Sequence, residues 1–307
     1  MSLDPQLASM LQALDAGFPP VHTMTGAQAR AKIKERFVPN PSPVPVAKVT
    51  DLDVPVDDGS VGVRIYRPEG AAALPVLVYA HGGGFVFCGL DTHDGLCRSF
   101  ANLIPAVVVS VDYRLAPEHG WPAAAEDVYA VTRWVSRHAT DIGADAGRIA
   151  VGGDSAGGNL AAVTALMARD RGGPELAAQL LVYPVLAADF DTESYRRFGE
   201  GFYNSRVAMQ WYWDQYVPSP GDRRHPYASP INARLEGLPP AAVVVAGHDP
   251  LHDEGVDYAE ALESAGVPTV RCHFEGAVHG FMTMPTLDLA KVACSQVSRE
   301  LAALITN

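Results

Sequence analysis

The chain has 307 residues, 48% of them hydrophobic, and a formal net charge of −12; that length and apolar share suit one large α/β domain with an accessory piece and exclude a disordered chain. An acidic surface with no Lys/Arg cluster repels nucleic acid and anionic membranes, so a small neutral or apolar molecule is the expected partner. Cys88, Cys97, Cys272 and Cys294 lie far apart with no C-x-x-C pair, which reads as reduced thiols in a cytoplasmic protein rather than a disulfide frame or a zinc site.

In chain order, residues 1 to about 45 come first and carry no strand signal. The opening "MSLDPQLASML" has no basic n-region and no unbroken apolar run, and no later stretch reaches the length of a membrane span. Leu7, Met10, Leu11 and Leu14 have the spacing of an amphipathic helix, and the Pro-rich connector "VPNPSPVP" follows. Next, "VTDLDVPVDDGSVGVRIYRP" alternates apolar and polar residues around Asp58-Gly59, which predicts an antiparallel hairpin at a sheet edge. β-branched runs then alternate with helical patterns, the signature of a mostly parallel sheet covered on both faces. Strands are expected over 74–80, 106–113, 148–153, 179–184, 241–247 and 269–274. The clearest helices run from Pro122 to about Arg137 and over 253–265, with Gly266 as a stop.

One segment breaks the alternation. Residues 189–222 crowd nine aromatics (Phe190, Tyr195, Phe198, Phe202, Tyr203, Trp211, Tyr212, Trp213, Tyr216) between two strands where a short crossover helix would suffice. Together with the N-terminal segment it reads as a helical cap over the C-terminal edge of the sheet, where open α/β sheets bind ligands. Most of these aromatics are expected to form the cap's own core, with one or two facing a pocket. The expected organisation is therefore 1–45 for the first part of the cap, 46–187 and 226–307 for the two parts of the core, and 188–225 for the cap insertion.

The chemistry gathers at the strand ends. "VGGDSAGGNLAAVTAL", 151–166, places Gly153-Asp154-Ser155-Ala156-Gly157 after a strand and before a helix. In that setting a sharp turn flanked by glycines thrusts the serine hydroxyl above the sheet edge, and the free N–H groups of the first helical turn favour negative charge. The same letters also describe a plain glycine turn, so more parts are required. "HGGGF", 81–85, supplies one: Gly83 and Gly84 offer two backbone donors and Ala156 a third for an oxyanion. His81 is a candidate base by residue type, but a histidine at a strand end more often anchors its own loop.

An acid and a base follow in the order Ser, Asp, His. "VVVAGHDPLHDEG" puts Asp249 just past a strand and "HFEGAVHGF" puts His279 just past the last one, in reach of a serine that needs an imidazole to take its proton and a carboxylate to hold that imidazole. His22, His93, His119, His138 and His225 fall in segments expected elsewhere and read as surface or packing residues. Spacing alone also lets Asp253 face His279; the loop position favours Asp249, while Asp253 falls in a first helical turn. A zinc reading of His248, His252 and Asp253 fails on Pro250, which fits only the first turn and leaves His248 off the helix. No metal is expected.

The set "HGGGF", "VDYRLAPEH" with "WPAAAED", "GDSAGGNLA", "LPPAAVVVAGHDPLHDEGVDYAEAL" and "GAVHGF" resembles the hormone-sensitive-lipase-like carboxylesterases, bacterial family IV, of the α/β-hydrolase fold. The likeness runs from about Lys48 to the C-terminus. It implies Ser155 as nucleophile, His279 as base, Asp249 as the triad acid, and the N–H groups of Gly83, Gly84 and Ala156 as the oxyanion hole. It also implies a mobile cap, no cofactor, and hydrolysis of short- to medium-chain acyl esters; dimers are frequent among similar proteins. Cys88 departs from the pattern, since a smaller residue is usual near the oxyanion loop, and Asp154 makes the elbow the GDSAG variety, from which no mechanistic difference is expected. Two other functions fit the same fold: a non-catalytic ligand receptor, known in relatives whose triad is broken, and cleavage of another acyl substrate such as a lactone or an amide.

Overall fold

The computed structural model describes residues 2–57, 59–70 and 73–306. Its strands are β1 (Lys48–Val56), β2 (Gly59–Arg67), β3 (Leu74–Ala80), β4 (Val107–Asp112), β5 (Ala144–Asp154), β6 (Ala178–Val182), β7 (Ala241–His248) and β8 (Thr269–Val278). They form one eight-stranded sheet in the order β1-β2-β4-β3-β5-β6-β7-β8. β1 and β2 make the antiparallel hairpin, Val56 opposite Gly59; Asp58, half of the expected turn pair, lies outside the described residues. β2 pairs antiparallel with β4, and every later pairing is parallel.

The helices are α1 (Pro5–Gly17), α2 (Gly26–Arg36), α3 (Leu90–Leu103), α4 (Ala123–His138), α5 (Ala156–Asp170), α6 (Glu193–Phe198), α7 (Arg206–Tyr216), α8 (His252–Ser264) and α9 (Asp288–Thr306). They cover both faces, which is why β6 and β7 are buried along their whole length and apolar but for Gln179 and His248. The two-residue period of a strand sorts β3 between two cores. Val76, Val78 and Ala80 pack with Val131 of α4, Leu160 of α5 and Leu262 of α8. Leu77 and Tyr79 face Phe100 of α3, Val297 of α9 and Leu7 of α1.

The observed bounds differ from the expected ones at a few ends. β8 runs on to Val278 instead of stopping at 274, because the pairing with β7 resumes after a register shift between Ala246 and His248. α4 opens at Ala123 with Pro122 as its N-cap. α8 begins and ends one residue early, and Gly266, at φ +78°, follows it as the stop. The N-terminal segment is tied down at both helices: Asp4 caps α1 by accepting the N–H groups of Gln6 and Leu7 at 2.9 and 3.2 Å, and Thr25 with Gln28 forms a capping box on α2. The crossover from β6 to β7 carries α6 and α7. The parallel run places the ends of β3, β5, β7 and β8 along one edge of the sheet.

Candidate active site

Ser155 follows β5 directly at φ 56° and ψ −117°, a conformation that side chains rarely adopt. Its neighbours must be glycines because the chain doubles back on itself: a Cβ on Gly153 would lie 2.3 Å from the Gly157 carbonyl oxygen, and one on Gly157 1.9 Å from that of Ala80. α5 begins at the next residue, Ala156, whose N–H therefore has no partner within the helix.

The Ser155 hydroxyl lies 2.8 Å from His279 Nε2, and His279 Nδ1 lies 2.7 Å from Asp249 Oδ2. The other Asp249 oxygen accepts the Leu251 N–H at 2.9 Å. Asp249 is fully buried, whereas Ser155 and His279 each keep 8% of their surface exposed. A carboxylate with both oxygens engaged holds the imidazole with Nδ1–H toward it and Nε2 free to take the serine proton. Asp253 is turned elsewhere. It accepts the Ser194 N–H at 2.8 Å, and although burial pushes its carboxyl up, that amide and His252 hold it below its ordinary value. Of the two carboxylates open in the sequence, the fold brings Asp249 to His279.

The loop after β3 lies against this elbow. Gly83 and Gly84 take φ values of +121° and +58°; a Cβ on Gly83 would meet the Phe87 carbonyl oxygen at 2.2 Å, and one on Gly84 the Tyr212 ring at 2.3 Å. His81 is wholly buried, stacks on Tyr113 at 4.3 Å, and donates Nδ1–H to the Gly82 carbonyl at 2.7 Å. Burial pushes its pKa down to about 3, so the ring stays neutral at physiological pH and braces the loop.

Two residues to which the sequence assigned no part in the site lie here. Asp154, 3% exposed, accepts the Tyr79 hydroxyl at 2.8 Å and the Gly82 N–H at 3.0 Å. His93 Nε2 lies 3.2 Å from the same carboxylate. Burial works against the charge on Asp154, but His93 and the Tyr79 hydroxyl hold its carboxyl below the ordinary range. His93 is thus buried at this edge rather than elsewhere. Its register with Leu96, Cys97 and Phe100, at i+3, i+4 and i+7 on α3, was the available signal of an inward face.

A cavity of about 350 Å³ opens between α2 and the loop that follows Gly84, lined by Arg30, Ile33, Phe37, Phe87, Cys88 and Leu90 among others, with none of Gly83, Gly84, Ser155, Ala156, Asp249 or His279 in its lining. Arg30 pins α2 to that loop and to the connection after β4 by donating to the Val86 and Ala116 carbonyls at 3.0 and 2.9 Å. Burial pushes the Cys88 thiol up to about 12, which keeps it protonated and poorly nucleophilic. Phe18 packs edge-on against Tyr203 at 5.3 Å, and Phe87 against Tyr212 at 5.6 Å. Among the described residues no three His, Cys, Asp or Glu side chains converge as metal ligands. His248 ends β7 and hydrogen-bonds the Glu275 carbonyl at 2.9 Å, off the helix that His252 opens. Among the described residues no helix is long and apolar enough to cross a membrane.

A family model described as the alpha/beta hydrolase fold matches residues 77–283. The carboxylic ester hydrolase LipN of Mycobacterium tuberculosis is 44% identical over 263 residues, covering 83% of this chain and 70% of LipN. The carboxylesterase NlhH of the same organism is 41% identical over 308 residues, covering 98% of this chain and 96% of NlhH. Among solved structures, a hyperthermophilic esterase from the archaeon Pyrobaculum calidifontis superposes with a TM-score of 0.93 at 41% identity, covering all of both chains.

Proposed function

The chain belongs to the α/β-hydrolase family, in its hormone-sensitive-lipase-like branch, and from that premise we propose that it is a serine carboxylesterase acting on short- to medium-chain acyl esters through an acyl-enzyme. The observation that carries this reading is the continuous line of hydrogen bonds from Ser155 through His279 to Asp249. In it, the Ser155 oxygen attacks the ester carbonyl carbon while His279 Nε2 takes the hydroxyl proton. The carbonyl oxygen becomes an oxyanion, held by the N–H groups of Gly83, Gly84 and Ala156; one such donor is worth about 3 to 4 kcal/mol of barrier. As the carbon–oxygen bond to the leaving group breaks, His279 returns the proton to the departing alkoxide and the alcohol leaves. Water then repeats the sequence on the acyl-serine, giving up its proton to His279 and releasing the acid. Asp249 stays ionised throughout and stabilises the imidazolium.

In this reading residues 1–45 and 188–225 form the cap and the remaining two stretches the catalytic core. Contacts between the two pieces support it: Tyr203 donates its N–H to Asp15 at 3.2 Å, and Phe18 and Tyr203 pack together. Four unpaired cysteines support a reducing compartment, and the charge of −12 supports a small neutral substrate over a nucleic acid.

The test is turnover of a short aryl ester beside an amide and a lactone, by wild type and by Ser155→Ala. Wild type should prefer the ester and the mutant should lose the activity while keeping its fold, since the turn accepts alanine's size. A mutant with a tenth of wild-type kcat would sink the serine mechanism, absence of turnover in wild type would leave the receptor, and faster lactone or amide cleavage would move the substrate class.

A further inference from the structure

The nucleophile and the oxyanion donors come from different strands, Ser155 from the end of β5 and Gly83 and Gly84 from the loop after β3. Their separation must be fixed closely, because a misplacement of about 1 Å in an active site can cost about 10²-fold in rate. Parallel pairing sets Ala80 beside Gly153, but β3 ends there and β5 one residue later, at Asp154, and beyond that pair no ladder between β3 and β5 holds the two turns together. One side chain bridges the gap. Asp154, adjacent to Ser155, accepts the N–H of Gly82, adjacent to Gly83.

We propose that Asp154, gripped by His93 and Tyr79, is a positioning residue that sets the oxyanion donors over Ser155; this rests on the esterase reading. Three elements converge on its buried carboxylate: Tyr79 from β3, Gly82 from the oxyanion loop and His93 from α3. His93 is itself anchored, with Thr92 Oγ1 2.9 Å from its Nδ1, and Thr92 accepts the Gly89 N–H at 3.0 Å and donates to the Gly89 carbonyl at 2.8 Å. Fixing the Gly82 N–H fixes the peptide plane directly before the one that carries the Gly83 N–H, so that only φ and ψ of Gly82 separate the anchored amide from the first oxyanion donor. The carboxylate has its oxygens committed to these three donors, so it orients the machinery without taking part in the proton transfer. Such a role predicts a particular kinetic signature. The neutral carbonyl of the bound ester needs the donors little and the oxyanion needs them greatly, so displacing them lowers kcat and leaves KM alone.

The experiment is steady-state hydrolysis of a short aryl ester by wild type, Asp154→Ala, His93→Ala and His93→Gln, with rates expressed per site titrated by a phosphonate so that misfolded protein is not counted. Asp154→Ala removes the oxygen that accepts both the Gly82 N–H and the Tyr79 hydroxyl, so kcat per site should fall about 10- to 100-fold with KM within about threefold. His93→Ala should fall in the same way, and His93→Gln, which keeps an N–H for Asp154, should recover most of that loss. Unchanged kcat per site in both Asp154→Ala and His93→Ala overturns the proposal, as does a loss carried by KM or a Gln variant no better than Ala. A wild-type protein that neither hydrolyses the ester nor takes up the phosphonate removes the premise, and the proposal with it.

Discussion

At the scale of single residues, what matters is which polar atoms the fold brings within 3 Å of one another. Asp249 and Asp253 are four residues apart and chemically identical, yet one meets His279 and the other Ser194. Their amides should part company. Asp249→Asn permits the wrong histidine tautomer, and kcat should fall by about 10⁴, the loss attached to the equivalent change in a serine protease triad. Asp253→Asn keeps an oxygen for the Ser194 N–H and loses only charge, so its effect should be confined to about 1 kcal/mol of stability or less. Kinetics and thermal melts of the two variants on one short ester decide this; a nearly dead Asp253 variant beside an active Asp249 variant would reverse the assignment. His81 gives a pH prediction. Unfolded, it takes up a proton near its ordinary pKa of about 6.5; folded, burial delays that to about 3. Across that window the unfolded state holds the extra proton, so stability falls as pH falls. His81→Asn should show a shallower drop in Tm between pH 6.5 and 4 than wild type, and an identical slope would contradict the burial argument.

At the scale of elements, α1 and α2 matter through what they lean on. Leu7 is fully buried in the core beside α9, the Asp4 N–H donates to the Gly276 carbonyl at 2.9 Å on β8, and Arg30 holds the loop after β3 at Val86 and the one after β4 at Ala116. None of these contacts touches the reacting atoms. Deleting residues 2–36 should therefore lower the melting temperature and change which acyl lengths are accepted, while the shortest ester keeps most of its kcat. A chain-length series on the truncated protein checks it, and an unaltered profile would count against the N-terminal segment shaping the pocket. Elements were also where the sequence was most legible. The strand from 74 to 80 coincides with its expectation because its Val- and Leu-rich run is buried on both faces. The end of β8 was missed because its continuation depends on a register shift against β7, which no local pattern records.

At the scale of the whole molecule, parallel strands deliver the ends of β3, β5, β7 and β8 to one edge, and this is why Ser155, Asp249 and His279 could be picked out of 307 residues from motifs that each follow a strand. What stayed illegible is the cross-linking between those ends. Asp154 and His93 are 61 positions apart, both conform to ordinary helix and elbow patterns, and only the folded sheet reveals that they share a polar contact. The central claim is that this edge performs acyl transfer at Ser155, and the measurement nearest to it is peptide mass mapping after reaction with a p-nitrophenyl alkylphosphonate, which arrests the chemistry as a tetrahedral phosphonyl-serine. The account predicts one phosphonyl group per chain, carried by the peptide containing Ser155, with esterase activity lost in step with labelling and no label on Ser155→Ala. Inactivation with the group on any other residue, or full labelling of Ser155 with activity intact, would contradict it.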